Sequence, residues 1–221
     1  MTAALIKQVA LKQFAAHGYE GASLALIAEE VGIKKQSIYT HFSSKDDLFL
    51  DVLKEAARQE LRFTADYFTR HTEMPFLECL LGFLKHYKER YSQDDQNKFW
   101  LRMMYFPPSQ HREPIIAYGY EYMDRLQAYL VPLFIKAMDE NVIGQIDAAL
   151  AASAFFGVLD AVLVEMLFGG EERFTKRLEA SWYMYLRGLS LPENEHAAQW
   201  TAKNGACYEK GMDVDSDSRR L

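Results

Sequence analysis

The sequence predicts an all-α chain of about nine helices: a three-helix N-terminal head, a long linking fourth helix and a larger helical body. Three observations carry this. Apolar residues recur three and four apart along most of the chain, no stretch alternates in the manner of a strand, and Gly or Pro marks several of the breaks between periodic segments, such as Gly18, Gly32, Pro107, Pro108 and Gly144. The expected divisions are residues 1–53 for the head, 54–191 for the body and 192–221 for a polar, partly mobile tail.

Ile6, Val9, Ala10 and Phe14 give a stripe on a first helix from about residue 3 to His17, with Gly18 as its left-handed stop. Leu24, Ile27, Ala28 and Val31 mark a second helix, capped by Ser23 and ended by Gly32. Ile38 and Phe42, four apart, give a third helix its inward face and turn Lys35, Gln36, Tyr39 and Thr40 outward. Two short helices around a glycine turn form a helix-turn-helix pattern. The outward residues suit a major groove: Lys meets phosphate or guanine, Gln pairs with adenine, and Thr touches a thymine methyl. Ser44 then caps SKDD, whose carboxylates favour a helix N-terminus, and a fourth helix runs from about Lys45 to near His71. With Lys45, its first amides can clasp a phosphate, and its length makes it a lever.

Beyond the linking helix, the body helices begin near Glu73, with Pro75 at a helix start and the stripe Phe76, Leu80, Phe83, Leu84 and Tyr87. After SQDDQN, the run FWLRMMYF forms a short apolar helix stopped by Pro107 and Pro108. A pattern from about Ser109 to Asn141 follows, with Pro132 expected to bend or interrupt it. Residues 147–168 are apolar nearly all round, so that helix must be buried on more than one face. Phe174, Leu178, Trp182, Tyr185 and Leu189 line a last amphipathic helix. In the tail from Pro192, Trp200 and Tyr208 are the residues able to pack on the body.

IAEEVGIKKQSIYTHFSSKDDLF, preceded by ALKQFAAHGYEGAS, resembles the DNA-binding signature of the tetracycline-repressor (TetR) family of bacterial transcription regulators. The resemblance runs from Ile6 to about Leu53 and rests on Phe14, the Gly18-Tyr19 break, Ile27, Tyr-x-His-Phe and Ser-Lys-Asp-Asp-Leu. It implies that Gln36, Ser37 and Thr40 face bases or the adjacent backbone, and that Tyr39, His41 and Lys45 hold phosphates. Lys34 stands where the family often has a capping Ser or Thr; it cannot accept a hydrogen bond, though its charge favours phosphate. Gln36 replaces a common small residue, and Ala22 a common Thr, which leaves a phosphate role to Ser23. The last two helices are similar to the hairpin through which family members pair as a four-helix interface. On that resemblance Phe156, Leu159, Leu163, Leu178, Trp182 and Tyr185 are its contacts.

The net charge of −6 lies outside the head, since residues 1–62 carry eight basic and eight acidic residues. Lys34, Lys35 and Lys45 form a local basic rim, enough for docking with modest non-specific affinity. No apolar run approaches the roughly 20 residues of a spanning helix, no secretory leader is recognisable, and Cys79 and Cys207 suggest no disulfide framework. A soluble, cytosolic chain is expected. GxSxG, HExxH and phosphate-loop motifs are lacking, and the six His residues have no metal spacing, so neither catalysis nor a cofactor is expected. His86 and His111, near Glu89 and Glu113, are read as surface helix residues.

For a small hydrophobic effector the candidates are Trp100, Met103, Met104, Phe106, Tyr118, Tyr122, Met123 and Phe155, with Phe99, Tyr105, Phe156, Met166 and Trp182 in the same aromatic and Met set. Taken singly, each reads as plain core before it reads as pocket lining. Glu165, Arg102 and Asp160 are charges within apolar stretches, open to anchoring a ligand, forming a buried pair or facing solvent. The resemblance implies a homodimer that binds a palindromic double-stranded operator and represses until its effector releases it. The alternatives are an activator, or a ligand-binding or interaction protein of this fold with weak DNA affinity.

Overall fold

The computed structural model describes residues 3–189, so the tail from Pro192, with Trp200 and Tyr208, lies outside the described residues. Among these residues there are nine α-helices and no strand. They are α1 (Ala3–Gly21), α2 (Leu24–Val31), α3 (Lys35–Ile38), α4 (Lys45–Arg70), α5 (Phe76–Gln93), α6 (Asp95–Tyr105), α7 (Arg112–Asp139), α8 (Ala148–Phe168) and α9 (Gly170–Leu189), with a 3₁₀ turn, Ser109–His111, before α7. The periodic stripes become the faces on which α1, α2 and α4 close the head and α4, α5, α7, α8 and α9 close the body.

Three elements differ from expectation. Gly18 does not end α1: its φ of 71° and ψ of 179° put a kink there, after which one more helical turn reaches Gly21. Only glycine takes that conformation without strain. The third helix is a single α-turn, Lys35–Ile38, prolonged by backbone bonds from His41 and Phe42 to the Ile38 carbonyl. Its first turn is also uncapped, since Lys34 at the cap position makes no side-chain hydrogen bond. Pro132 does not interrupt α7, because it lies on the exposed side, where water can serve the carbonyl that proline leaves unbonded.

The head does not close on its own residues. Ile6, Phe14, Ile27, Ile38, Leu48 and Phe49 share one core with Phe99 and Met103 of α6 and Ile115 of α7. Helical register explains this: Phe99 and Met103, four apart, face the head, whereas Trp100 and Leu101 face the body. Thus α6 is wedged between the two, and α4 is not the only element that joins them.

Candidate nucleic-acid interface and body groove

Ser23 caps α2 by accepting from the Leu26 amide at 3.2 Å, and Gly32, at φ 77°, turns the chain toward α3. Beyond that turn Lys34, Lys35, Gln36, Ser37, Tyr39, Thr40 and His41 are all exposed, while Ile38 and Phe42 are buried beneath them. The expected outward set therefore shares one surface. Thr40 donates its hydroxyl to the Ser37 carbonyl at 2.7 Å, which fixes its methyl and hydroxyl relative to the turn.

The next helix start is held from both sides. Ser44 Oγ accepts from the Asp47 amide at 3.0 Å, and Asp47 reaches back to the Ser43 amide and hydroxyl at 2.8 and 3.0 Å. Lys45 Nζ lies 4.2 Å from the centre of the Tyr19 ring, which restricts the cation to the edge of the same surface. Tyr19 in turn donates to Asp46 at 2.8 Å. Burial, helped by Asp46, pushes the Tyr19 hydroxyl up to about 12, and the Tyr19 bond holds the Asp46 carboxyl below its ordinary range.

His111 is not the surface helix residue expected. It is buried, its ring stacks on Phe49 at 4.9 Å, and Nε2 stands 2.7 Å from Asp46 without the alignment of a hydrogen bond. Arg102 likewise reaches from α6 to the carbonyls of Ala15 and Ala16 near the kink of α1, at 3.4 and 3.5 Å. Tyr19, Asp46, Arg102 and His111 thus brace the head from behind, and sequence spacing gave no sign of the contacts across the fold.

The body distributes the effector candidates unevenly. Trp100, Tyr122 and Phe155 are buried in its core, and Met123 packs against that core half-buried. Met103 faces the head and therefore cannot line a body cavity; Met104 and Tyr118 touch both cores. Phe106 is exposed, edge-on to Phe168 at 5.6 Å. Glu165 is no free anchor, since Arg173 and Arg177 hold its carboxylate at 2.9 and 3.2 Å and keep it below the usual carboxylate range, Arg173 most strongly. Asp160 accepts weakly from the Tyr105 hydroxyl at 3.5 Å.

A buried polar network crosses the body between α4, α5 and α7. Glu60, fully buried, accepts from Tyr87 at 3.0 Å and from two nitrogens of Arg90 at 3.1 and 2.6 Å, while Tyr122 accepts from Thr64 at 3.3 Å. Asn97, on the face of α6 one turn before Trp100 and Leu101, is also fully buried, yet neither polar atom of its amide has a partner. Elsewhere, a groove of about 730 Å³ opens between α5 and the start of α9. Of the aromatic and Met candidates only Met166 and Trp182 line it, joined by Phe174, which periodicity had placed in the helix core.

The expected dimer contacts need correction. Phe156, Leu159, Leu163, Leu178 and Tyr185 are buried inside the single chain, and Trp182 is half-buried in the groove wall. Helix α8 is apolar nearly all round, broken only by Asp160 and Glu165, so its stripe alone could not say which face meets its own core. The outward face is the other one: Leu150, Ala154, Gly157, Ala161, Val164 and Phe168, all exposed or half-exposed, with Asp160 exposed among them. By length and hydropathy α8 could cross a membrane, but half of its most apolar window is packed inside the protein, as in a core helix.

Residues 6–52 match the sequence profile of bacterial regulatory proteins, tetR family. The chain is 40% identical over 53 residues to the transcriptional repressor AcnR of Corynebacterium jeikeium, covering 24% of this chain and 28% of that protein. It is 32% identical over 93 residues to the transcriptional activator FasR of Mycolicibacterium smegmatis, covering 39% of this chain and 42% of that one. The chain thus matches less than half the length of either relative. Its fold extends the likeness: the crystal structure of a TetR-family regulator from Mesorhizobium loti superposes with a TM-score of 0.64 at 25% identity, over 84% of this chain and 95% of that one. Residues 6–52 thus carry the helix-turn-helix signature of the tetR family of bacterial regulatory proteins, and the all-helical architecture over most of the chain is similar to that of a TetR-family regulator.

Proposed function

We propose that this protein is a ligand-responsive transcriptional regulator, a repressor, which binds a palindromic operator as a homodimer in the cytosol and is released by a small hydrophobic effector. The observation that carries the reading is the single exposed surface formed by Lys34 to Ser37, Tyr39, Thr40 and His41 over the buried Ile38 and Phe42, flanked by the α4 N-terminus and Lys45. Gln36, Ser37 and Thr40 supply base-edge donors, acceptors and a methyl group, whereas Ser23, Lys34, Lys35, Tyr39, His41 and Lys45 supply phosphate contacts. A chemistry that leaves operator DNA intact and only binds it requires nothing more.

The outer face of α8, apolar apart from the exposed Asp160, supports self-association, because a largely apolar helix half open to water gains by covering that half. Small residues at 154, 157 and 161 let a second α8 approach closely. Two-fold pairing there would set two recognition turns into successive major grooves about 34 Å apart. The α6 wedge and the His111 and Arg102 contacts give an effector in the body a direct mechanical route to the head.

Selection of bound duplexes from a random pool tests the reading. A two-fold symmetric sequence with half-sites one helical turn apart is expected. Enrichment of no sequence, with uniform salt-sensitive retention, would contradict it.

A further inference from the structure

The groove beside α9 is a half-open concavity of the body, and its chemistry is divided. Its floor is apolar and aromatic, made by Leu81, Met166, Phe174, Leu178 and Trp182, and its volume of about 730 Å³ falls in the range of small-molecule sites. Its α5 rim carries two ammonium groups one turn apart, Lys85 and Lys88. Lys85 is exposed and makes no ion pair among the described residues. Lys88 leans over the Phe174 ring, 4.9 Å from its centre, and pairs across the groove with Glu171.

That pair is easily exchanged. Glu171 is largely exposed, so its carboxylate returns to water at little cost, whereas Lys88 is two-thirds buried and held against the groove. Glu89 and Glu179 also lie on the rim; Glu89 is turned toward His86 at 3.3 Å. An incoming anion therefore finds one lysine without an ion pair and one whose partner is displaceable, with an apolar floor directly beneath.

We propose that this groove binds an amphiphilic carboxylate, its head taking the place of Glu171 on Lys88 and its apolar chain lying along Phe174, Met166 and Trp182. The proposal rests on the reading of the protein as effector-controlled and gives that effector a place and a class. It also gives a route: the occupant spans α5 and α9, and so acts first on the α8–α9 hairpin that carries the outward apolar face.

The probe is 11-bromoundecanoate, whose bromine quenches an indole that it touches, with undecanol and undecyltrimethylammonium as neutral and cationic counterparts. Saturable quenching is expected with the native chain and is lost in Trp182→Phe. The double variant Lys85→Gln, Lys88→Gln should weaken binding by about tenfold, the scale of one charge-assisted contact. Undecanol and the cation should compete poorly. Quenching that survives Trp182→Phe, equal binding of all three head groups, or no saturable binding would overturn the site or its class while leaving an effector elsewhere in the body open. Saturable binding at Trp182 that leaves dimer geometry and operator affinity unchanged would uphold the site and overturn its role in control.

Discussion

Tyr19 donates its hydroxyl to Asp46 across 2.8 Å, tying the turn after the α1 kink to the first turn of α4 beside Lys45. Two titrations are linked through this bond. Tyr19 is raised to about 12, so its contribution is complete below the ordinary tyrosine range near 10 and is lost as pH climbs toward 12. Asp46 is lowered, so its contribution is complete above the ordinary carboxylate range near 4 and is lost as pH falls through its folded value. Tyr19→Phe, which keeps the ring under Lys45, should cost about 1 kcal/mol at neutral pH. The gap should narrow in acid, and denaturant midpoints between pH 3 and 8 measure it. A constant gap would mean that the hydroxyl acts through packing alone.

The kink at Gly18 should be intolerant for two separable reasons. Its φ of 71° strains any side chain, and a Cβ there would stand 3.2 Å from Arg102 Nη2. Gly18→Ala should destabilise the protein by about 1–3 kcal/mol. Adding Arg102→Ala removes the close contact but not the strain, so thermal melting should show partial recovery at most. Complete recovery would assign the cost to the contact.

One substitution should have opposite signs at two buried sites. Glu60→Leu leaves the Arg90 guanidinium, whose side chain is only 14% exposed, with Asp94 at 3.3 Å as its one remaining carboxylate, and should cost about 3 kcal/mol. Asn97→Leu removes an amide with no partner and should leave stability unchanged or raise it by about 1 kcal/mol. Urea titrations of the two variants decide. A loss at Asn97 comparable to that at Glu60 would reveal a partner for the amide, such as a buried water.

Self-association separates the two faces of α8. Val164, 40% exposed, lies on the outward stripe, and Phe156 points into the core. Val164→Lys should yield folded monomers in sedimentation with a nearly unchanged melting temperature. Phe156→Lys should instead unfold the chain, because it buries a charge among apolar groups. A dimeric Val164→Lys protein would move the interface elsewhere.

These contrasts show what could be read without a structure. The α2 stripe from Leu24 to Val31 and the outward set around Ile38 were legible, because an amphipathic helix with one buried face declares that face. Helix α8 was legible as buried but not as to which side, since Phe156 and Val164 are equally apolar in a one-dimensional pattern. Met103 was legible as core, yet its assignment to the head depends on α6 lying between two cores. The partners of Glu165 and Asp46 were hidden for a related reason: Arg173 folds back across the α8–α9 turn and His111 arrives from a distant segment, contacts that no local periodicity encodes.

The most direct test of the central claim is footprinting of the purified protein on the DNA flanking its own gene, at two salt concentrations, with Gln36→Ala and a random duplex as controls. The account predicts a protected palindrome clearly preferred over the random duplex, with the preference relaxed by Gln36→Ala and affinity falling as salt rises. Equal, weak binding to both duplexes would exclude that DNA as the operator, and the same outcome on sites captured across the genome would contradict the account.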